Sequence, residues 1–104
     1  MQIDRRVIES SLTQKGFVRE DSKHRYYYHE YEGKRTGAYA YTSHGGSEKY
    51  KSYSEPFFKI IKKHLFLDRV KQVEELFLCP MDGTEYNQIL KSKGLLGDKP
   101  EFTK

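Results

Sequence analysis

Apolar residues recur near the spacing of an α-helix at the start of the chain. The residues concerned are Ile3, Val7, Ile8 and Leu12. Gly16 follows at a place where helices commonly end in a left-handed residue. The pattern predicts a first helix over residues 4–14.

The next stretch changes to residue types that favour a pleated sheet. Residues 17–20 form a short extended segment, and residues 25–32 are dense in Tyr. Gly33 falls where a tight hairpin needs a glycine, and residues 35–43 alternate between two sets of side chains. We predict three strands, of which the last two form a β-hairpin.

Alternation along the second strand divides its side chains between two faces. One face carries Tyr27, His29 and Tyr31, and the other carries Tyr26, Tyr28 and Glu30. We expect one set to pack under the helices and the other to meet solvent.

A second helix is predicted after a polar loop over residues 44–54. Ser54 is a suitable N-cap, and Pro56 suits the first turn of a helix. The predicted apolar stripe is Phe57, Ile60, Ile61 and Leu65. The opposite side carries Lys59, Lys62 and Lys63.

Two more helices are predicted in the last third of the chain. Asp68 is a candidate cap for a third helix, which Cys79-Pro80 would stop. Its apolar positions are Val70, Val73, Leu76 and Phe77. Asp82 and Glu85 form a capping-box pattern before a fourth helix, which carries Tyr86, Ile89 and Leu90 and would end at Gly94. The tail from residue 97 is expected to fray.

The order of these elements defines the expected fold class. A helix, three strands and a helix predict an α+β domain, in which helices cover one face of a three-stranded antiparallel sheet. At 104 residues the chain is long enough for one modest core, so a second independent domain is not expected.

Composition narrows the partners and the compartment. Nineteen basic and fifteen acidic residues give a net charge of +4, which favours polyanions such as nucleic acid. Cys79 is the only cysteine, which excludes an internal disulfide and a cysteine-only metal site. Because no signal peptide or bilayer-spanning apolar run is visible, we expect a cytoplasmic protein without a membrane partner. We also expect no metal and no cofactor.

Three short motifs follow one another along the first half of the chain. They are Gln14-Lys15-Gly16-Phe17-Val18, Ser22-Lys23-His24-Arg25-Tyr26-Tyr27 and Ser43-His44-Gly45-Gly46. Together they resemble the HicA family, whose members have an α-β-β-β-α fold similar to double-stranded-RNA-binding domains. The resemblance covers about residues 4–66 and implies a HicA-like core over residues 1–66. Residues 67–104 resemble the helical extension of a longer HicA-like branch.

The resemblance also implies an activity and two partners. Many HicA proteins are toxins that cleave mRNA independently of the ribosome and are held inactive by a HicB antitoxin, so it implies RNA and a HicB-like protein as partners. His24 stands at the family's catalytic position, where an imidazole could move a proton during attack of a ribose 2′-hydroxyl on phosphate. The chain departs from the family pattern before His24, where Glu20-Asp21-Ser22-Lys23 replaces a glycine-containing turn. The alternative role for His24 is that of an ordinary surface histidine.

Basic and aromatic residues supply the candidate binding surface. The predicted nucleic-acid-binding residues are Lys23, Arg25, Lys34, Arg35, His44, Lys59, Lys62 and Lys63. A row of exposed tyrosines on the second strand could stack on RNA bases. The structural alternative is that the tyrosines form cross-strand pairs and the lysines are only solvated.

Three functions are compatible with these features. The first is a HicA-like RNA-binding protein that acts as a metal-independent mRNA interferase. The second is an RNA-binding module without catalysis, and the third is a protein-interaction domain that docks through its C-terminal helices. The oligomeric state is left open.

Overall fold

The protein is an α+β domain built on a three-stranded antiparallel sheet. The computed structural model describes residues 2–43, 52–78 and 80–96. Its elements in chain order are β1 (Ile3–Asp4), α1 (Arg5–Gln14), β2 (Phe17–Asp21), β3 (Arg25–Tyr31), β4 (Lys34–Thr42), β5 (Ser52–Tyr53), α2 (Glu55–His64), α3 (Val70–Leu78) and α4 (Gly83–Ser92). The predicted α+β class, with a three-stranded antiparallel sheet and four helices in the described residues, is therefore confirmed, and the short strands β1 and β5 were not predicted.

The strands of the main sheet follow one another in the order β2-β3-β4. Phe17 pairs with His29 across β2 and β3, and Tyr28 pairs with Tyr39 across β3 and β4. The predicted hairpin between β3 and β4 is present, with Glu32 and Gly33 both at positive φ, as in the turn that suits a two-residue hairpin. The short strands β1 and β5 pair separately, Ile3 opposite Tyr53.

Three helices contribute to the cover on one face of the sheet. Helix α1 contacts α3 and β2, and Tyr86 of α4 packs against Phe17 and His29, with ring centroids 5.6 Å and 5.0 Å apart. The largest side chains that are almost completely buried include Tyr27, Tyr86, Phe58, Phe77, Ile8 and Leu12. The predicted extension after residue 66 therefore supplies part of the domain's own core.

Side chains of α1 hold the end of α3 in place. The Ser11 hydroxyl donates to the carbonyl of Phe77, and the Lys15 ammonium donates to the carbonyl of Leu76, both in buried surroundings. Carbonyls in the last turn of a helix have no partner within the helix, and a cation nearby also opposes the negative end of the helix dipole. Lys15 is only 7% exposed, so its charge is directed inward toward these carbonyls.

Two helices have an N-terminal cap of the kind that their sequence favours, and the other two do not. Asp4 caps α1, and Asp82 with Glu85 forms the predicted capping box of α4. Ser54 occupies the N-cap position of α2, but its side chain makes no capping hydrogen bond. At α3 the predicted cap Asp68 is wrong: the Gln72 side chain accepts the free amides, and the Asp68 carboxylate pairs with Lys93 at 2.7 Å.

The predicted apolar stripes need two corrections. Ile60 was expected in the stripe of α2 but is 50% exposed, and Phe58 is buried in its place. Helix α2 packs beside β4 and against α3, so its buried arc is displaced from the stripe that the sequence predicts. Val7 of α1 is likewise 40% exposed. The predicted stop at Cys79 and the frayed tail from residue 97 lie outside the described residues.

His29 is a buried polar residue at the centre of this packing. Its Nδ1 lies 2.9 Å from the Thr36 hydroxyl, and its Nε2 lies 2.9 Å from Oδ1 of Asn87 in α4. Because an amide oxygen only accepts, Nε2 carries the proton and Nδ1 accepts from Thr36, which describes a neutral imidazole. Burial lowers the pKa of His29 below its usual 6.5, and the Asn87 hydrogen bond opposes that shift.

We predict that acid weakens the fold through His29. The folded state favours neutral His29, so this stabilisation is complete above a pH of about 6.5 and decreases as the pH falls through that value. The melting temperature of the wild type should therefore drop more between about pH 7.5 and 5.5 than that of His29→Gln. His24→Gln is the control, and it should keep the wild-type pH dependence. An NMR titration that placed His29 at or above 6.5 would contradict the prediction.

A second prediction concerns the Lys15 ammonium. Lys15→Met keeps most of the apolar stem and removes the donor, which leaves the buried Leu76 carbonyl without this partner. The free energy of unfolding should fall by about 1–3 kcal/mol in urea denaturation. Lys71→Met, at an exposed position of α3, should change it by less than about 0.5 kcal/mol. Equal effects of the two substitutions would mean that the Lys15 bond contributes nothing specific.

Candidate nucleic-acid interface

The alternation predicted along β3 is confirmed by burial. Tyr27 and His29 are buried on the helix-covered face, 1% exposed each. Tyr26 and Tyr28 lie on the opposite face and are half-buried. The sheet therefore has one face in the core and one face that carries partly exposed rings.

The exposed face is covered by a continuous group of aromatic and imidazole rings. We call it the aromatic face and define it as His24, Tyr26, Tyr28, Tyr39, Tyr41 and His64, all half-buried. Neighbouring tyrosines have ring centroids 5.8 Å apart along β3 (Tyr26 and Tyr28) and 6.0 Å apart across to β4 (Tyr28 and Tyr39). Each ring supports the next, and the group presents a broad surface of π-systems.

Histidines stand at two borders of this face. The His24 ring stacks on Tyr41 with centroids 5.3 Å apart, and the His64 ring of α2 stacks on Tyr39 at 4.6 Å. Phe57 lies seven residues, about two helical turns, before His64, and its ring meets the Tyr41 ring edge-on with centroids 5.8 Å apart. Helix α2 thus forms a wall along the β4 side of the aromatic face.

An irregularity in β4 brings another ring to the same border. The register of β3 and β4 shifts between Tyr28 and Glu30, and Gly37 lies in the shifted segment. A Cβ at Gly37 would lie 3.9 Å from the Phe66 ring. Phe66, itself at positive φ, extends the aromatic border beyond the end of α2.

Arg35 places a positive charge at one end of the aromatic face. Its guanidinium lies over the Tyr28 ring, 4.1 Å from the centroid, and pairs with Glu20 at 2.6 Å. A guanidinium over a ring is attracted to its π-face and can retain donors for a phosphate. Glu20 and Glu30 make this end mixed in charge rather than purely basic.

Lys23 and Lys34 are exposed at opposite ends of the sheet. Lys23 precedes His24 in the turn between β2 and β3, which the Ser22 amide closes by donating to the His24 carbonyl at 2.9 Å. Lys34 opens β4 at the hairpin. Lys34 pairs with Tyr31 and so lies on the face of Tyr31, opposite the aromatic face.

Arg25 is on the other side of the sheet from His24. It pairs with Glu9 of α1 at 2.9 Å, and the same carboxylate oxygen accepts from Thr42 at 2.8 Å. This cluster ties α1 to β3 and β4. Arg25 and His24 are therefore adjacent in sequence, but their side chains are directed to opposite faces of the sheet.

The three predicted lysines of α2 point in different directions around the helix. Lys59 lies 3.8 Å from Glu55 one turn earlier, and Lys62 is close enough to Asp68 to lower the pKa of that carboxyl together with Lys93, whose hydrogen bond is the main cause. Lys63 is exposed, and at 100° per residue it lies closer around the helix to His64 than Lys59 or Lys62 does. Of the three, Lys63 is the one best placed to reach a ligand on that face.

The His24 side chain packs against aromatic rings and not against acidic side chains in the described residues. Its described contacts are Tyr41 and Tyr26, the latter at 5.9 Å, and within residues 2–43, 52–78 and 80–96 no acidic side chain is hydrogen-bonded to it. The predicted phosphate contact His44 lies outside the described residues. No group of three His, Cys, Asp or Glu side chains suited to a metal ion occurs in the described part of the chain.

Burial also affects the hydroxyl of Tyr41. Desolvation is the main cause that raises the pKa of Tyr41 above its usual 10.0, so the hydroxyl stays protonated at neutral pH. The aromatic face therefore offers a neutral hydroxyl donor beside its ring surfaces.

Sequence reasoning missed two parts of this site. It linked the tyrosines of β3 to RNA but did not join them to Tyr39 and Tyr41, although these alternate in the same hairpin and so share a face. His64 was not considered, because its place beside Tyr39 depends on how α2 packs. Its spacing of seven from Phe57 was the available signal.

No family model, curated protein or solved structure matches this chain. In the described residues no helix has the length and apolar character needed to cross a membrane.

Proposed function

We propose that this protein binds RNA on its aromatic face. The observation that carries the proposal is the continuous group of half-buried rings on the sheet face opposite Tyr27 and His29, which α2 borders along β4. An antiparallel sheet needs only one face in the core, and its other face is ordinarily polar. Here it holds four tyrosines and two histidines, which are side chains on which nucleic-acid bases stack.

The charges around the face suit a polyanion. The Arg35 guanidinium lies over the Tyr28 ring, Lys23 is exposed beside His24 in the chain, and Lys63 is exposed beside His64 in the chain. The whole chain has a net charge of +4. Phosphates would lie over these cations while bases lie over the rings. Structural use of the tyrosines as cross-strand pairs is compatible with this role, since half-buried rings retain an exposed part.

The resemblance to HicA proteins supports RNA as the ligand. The observed order of helix, three strands and helix is the order that the resemblance implies for residues 1–66. We propose by the same resemblance a cytoplasmic location and a HicB-like protein as a second partner. Docking through Val73 and Phe77 has less support, because both side chains are completely buried in the core.

We predict salt-dependent binding of a labelled, unstructured RNA in fluorescence anisotropy. If three cations contact phosphates, the logarithm of the affinity should fall with the logarithm of salt concentration with a slope of about −2. Lys23→Gln and Lys63→Gln should each weaken binding and reduce the slope by about 0.7. Lys71→Gln, exposed on α3, is the matched control and should leave both unchanged. Absence of binding at low salt would overturn the proposal.

A second candidate function, RNA cleavage, depends on His24. The imidazole is half-buried beside the exposed Lys23 at the end of the aromatic face, within reach of a bound backbone. It could take the proton of a ribose 2′-hydroxyl as the oxygen bonds to the adjacent phosphorus and the bond to the 5′-oxygen breaks. Lys23 would then be the cation that stabilises the phosphorane.

The cleavage test uses end-labelled RNA in EDTA. We predict fragments with 2′,3′-cyclic phosphate ends for the wild type, and a loss of about 100-fold or more in rate for His24→Gln. Lys71→Gln, at an exposed position of α3, is the control and should retain cleavage. Binding without cleavage by the wild type would leave an RNA-binding module and reject the catalytic role of His24.

A further inference from the structure

We infer that the aromatic face selects unpaired RNA over duplex RNA, an inference that rests on the proposed function. The choice between the two forms is a property of the surface that meets the ligand. A duplex presents phosphates, sugars and groove edges, while its base faces are covered by neighbouring base pairs. A surface made of rings gains its contact energy from base faces, which only unpaired nucleotides expose.

The rings form a platform in two dimensions rather than a single row. Tyr26 has centroids 5.8 Å from Tyr28, 6.3 Å from Tyr39 and 6.0 Å from Tyr41. A base on Tyr26 would therefore have a second ring within reach along the strand and across it. This arrangement suits a short run of splayed bases, because each base can find a ring without requiring one fixed backbone path.

The cations lie at the borders of the platform rather than at its centre. The Arg35 guanidinium lies over the Tyr28 ring at one end, Lys23 precedes His24 at the other end, and Lys63 is an exposed residue of α2. In a single strand, phosphates can turn outward to these borders while bases turn inward to the rings. A duplex reverses this order, because its phosphates would contact the tyrosines and its bases would stay internal.

The side wall works against a duplex as well. Helix α2 borders the platform through His64 and Phe57, whose rings contact Tyr39 and Tyr41. The half-exposed Ile60 lies between them on the same helical arc. An apolar residue at this border offers nothing to the phosphates of a wide helix, whereas a flipped-out base can pack against it.

The experiment compares one labelled RNA strand of eight nucleotides alone and annealed to its complement. At equal salt, the single strand should bind at least about tenfold more tightly than the duplex if stacking carries the affinity. Tyr26→Leu and Tyr39→Leu keep apolar bulk and remove the ring, so each should lose about fivefold or more for the single strand. Both variants should leave the weak duplex binding unchanged.

Tyr31→Leu is the matched control. Tyr31 is in the same strand as Tyr26, but it is partly buried against the core and lines a cavity on the helix side together with Thr84, Asn87 and Leu96. It should leave RNA affinity unchanged even if it lowers the melting temperature, and the Tyr26→Phe variant should bind like the wild type. The chain has no Trp, so tyrosine emission gives a second readout, which base stacking should quench in the wild type.

The outcomes separate the inference from the proposed function. Binding of neither form overturns the proposed function itself. Equal or tighter binding of the duplex, indifferent to Tyr26→Leu and Tyr39→Leu, overturns the inference and leaves an RNA-binding protein that uses another surface. Preference for the single strand with loss in both ring variants supports it.

Discussion

The contact of Tyr86 with Phe17 and His29 is the interaction on which the rest of the structure depends. It joins α4 to the sheet through three rings, and the His29 hydrogen bond to Asn87 adds a directional link to the same helix. The Tyr86 hydroxyl also donates to the carbonyl of Leu65 at 2.8 Å, which connects α4 to the end of α2. Because a small domain has little surplus core, the C-terminal helices cannot be removed without exposing the inner face of the sheet.

This packing decides which face of the sheet is free. Strand residues alternate, so once Tyr27 and His29 are committed to the core, Tyr26 and Tyr28 must point to the other side. The same rule places Tyr39 and Tyr41 beside them in β4. The aromatic face is therefore a consequence of burying the opposite face, and its rings stabilise each other whether or not a ligand is present. A binding surface built in this way needs no separate loop to hold it.

Local pattern was enough for most of the fold and for half of the candidate site. Periodicity and capping rules predicted the helices, the hairpin and the two faces of β3, because these depend on neighbours within a few residues. The exposure of Ile60 and the place of His64 depend on the packing of α2 beside β4, which is a contact between distant segments. The direction of Arg25 follows from strand alternation, yet its pairing with Glu9 required knowing where α1 lies. Residues whose roles are set by long-range packing were those that the sequence could not assign.

The motifs behind the HicA resemblance divide into structural and chemical parts. Lys15 donates to the end of α3, and Phe17 packs against Tyr86. Gly16 has a φ of +97°, and a Cβ there would lie 3.7 Å from the His29 ring, so the three central residues of that motif each have a structural reason. Such residues would be retained by any protein with this packing, whatever it binds. His24 has no comparable contact with the core: its described partners are the rings of the aromatic face. It is therefore His24 and the rings around it, rather than the motif at residues 15–17, on which the proposed RNA-binding function rests.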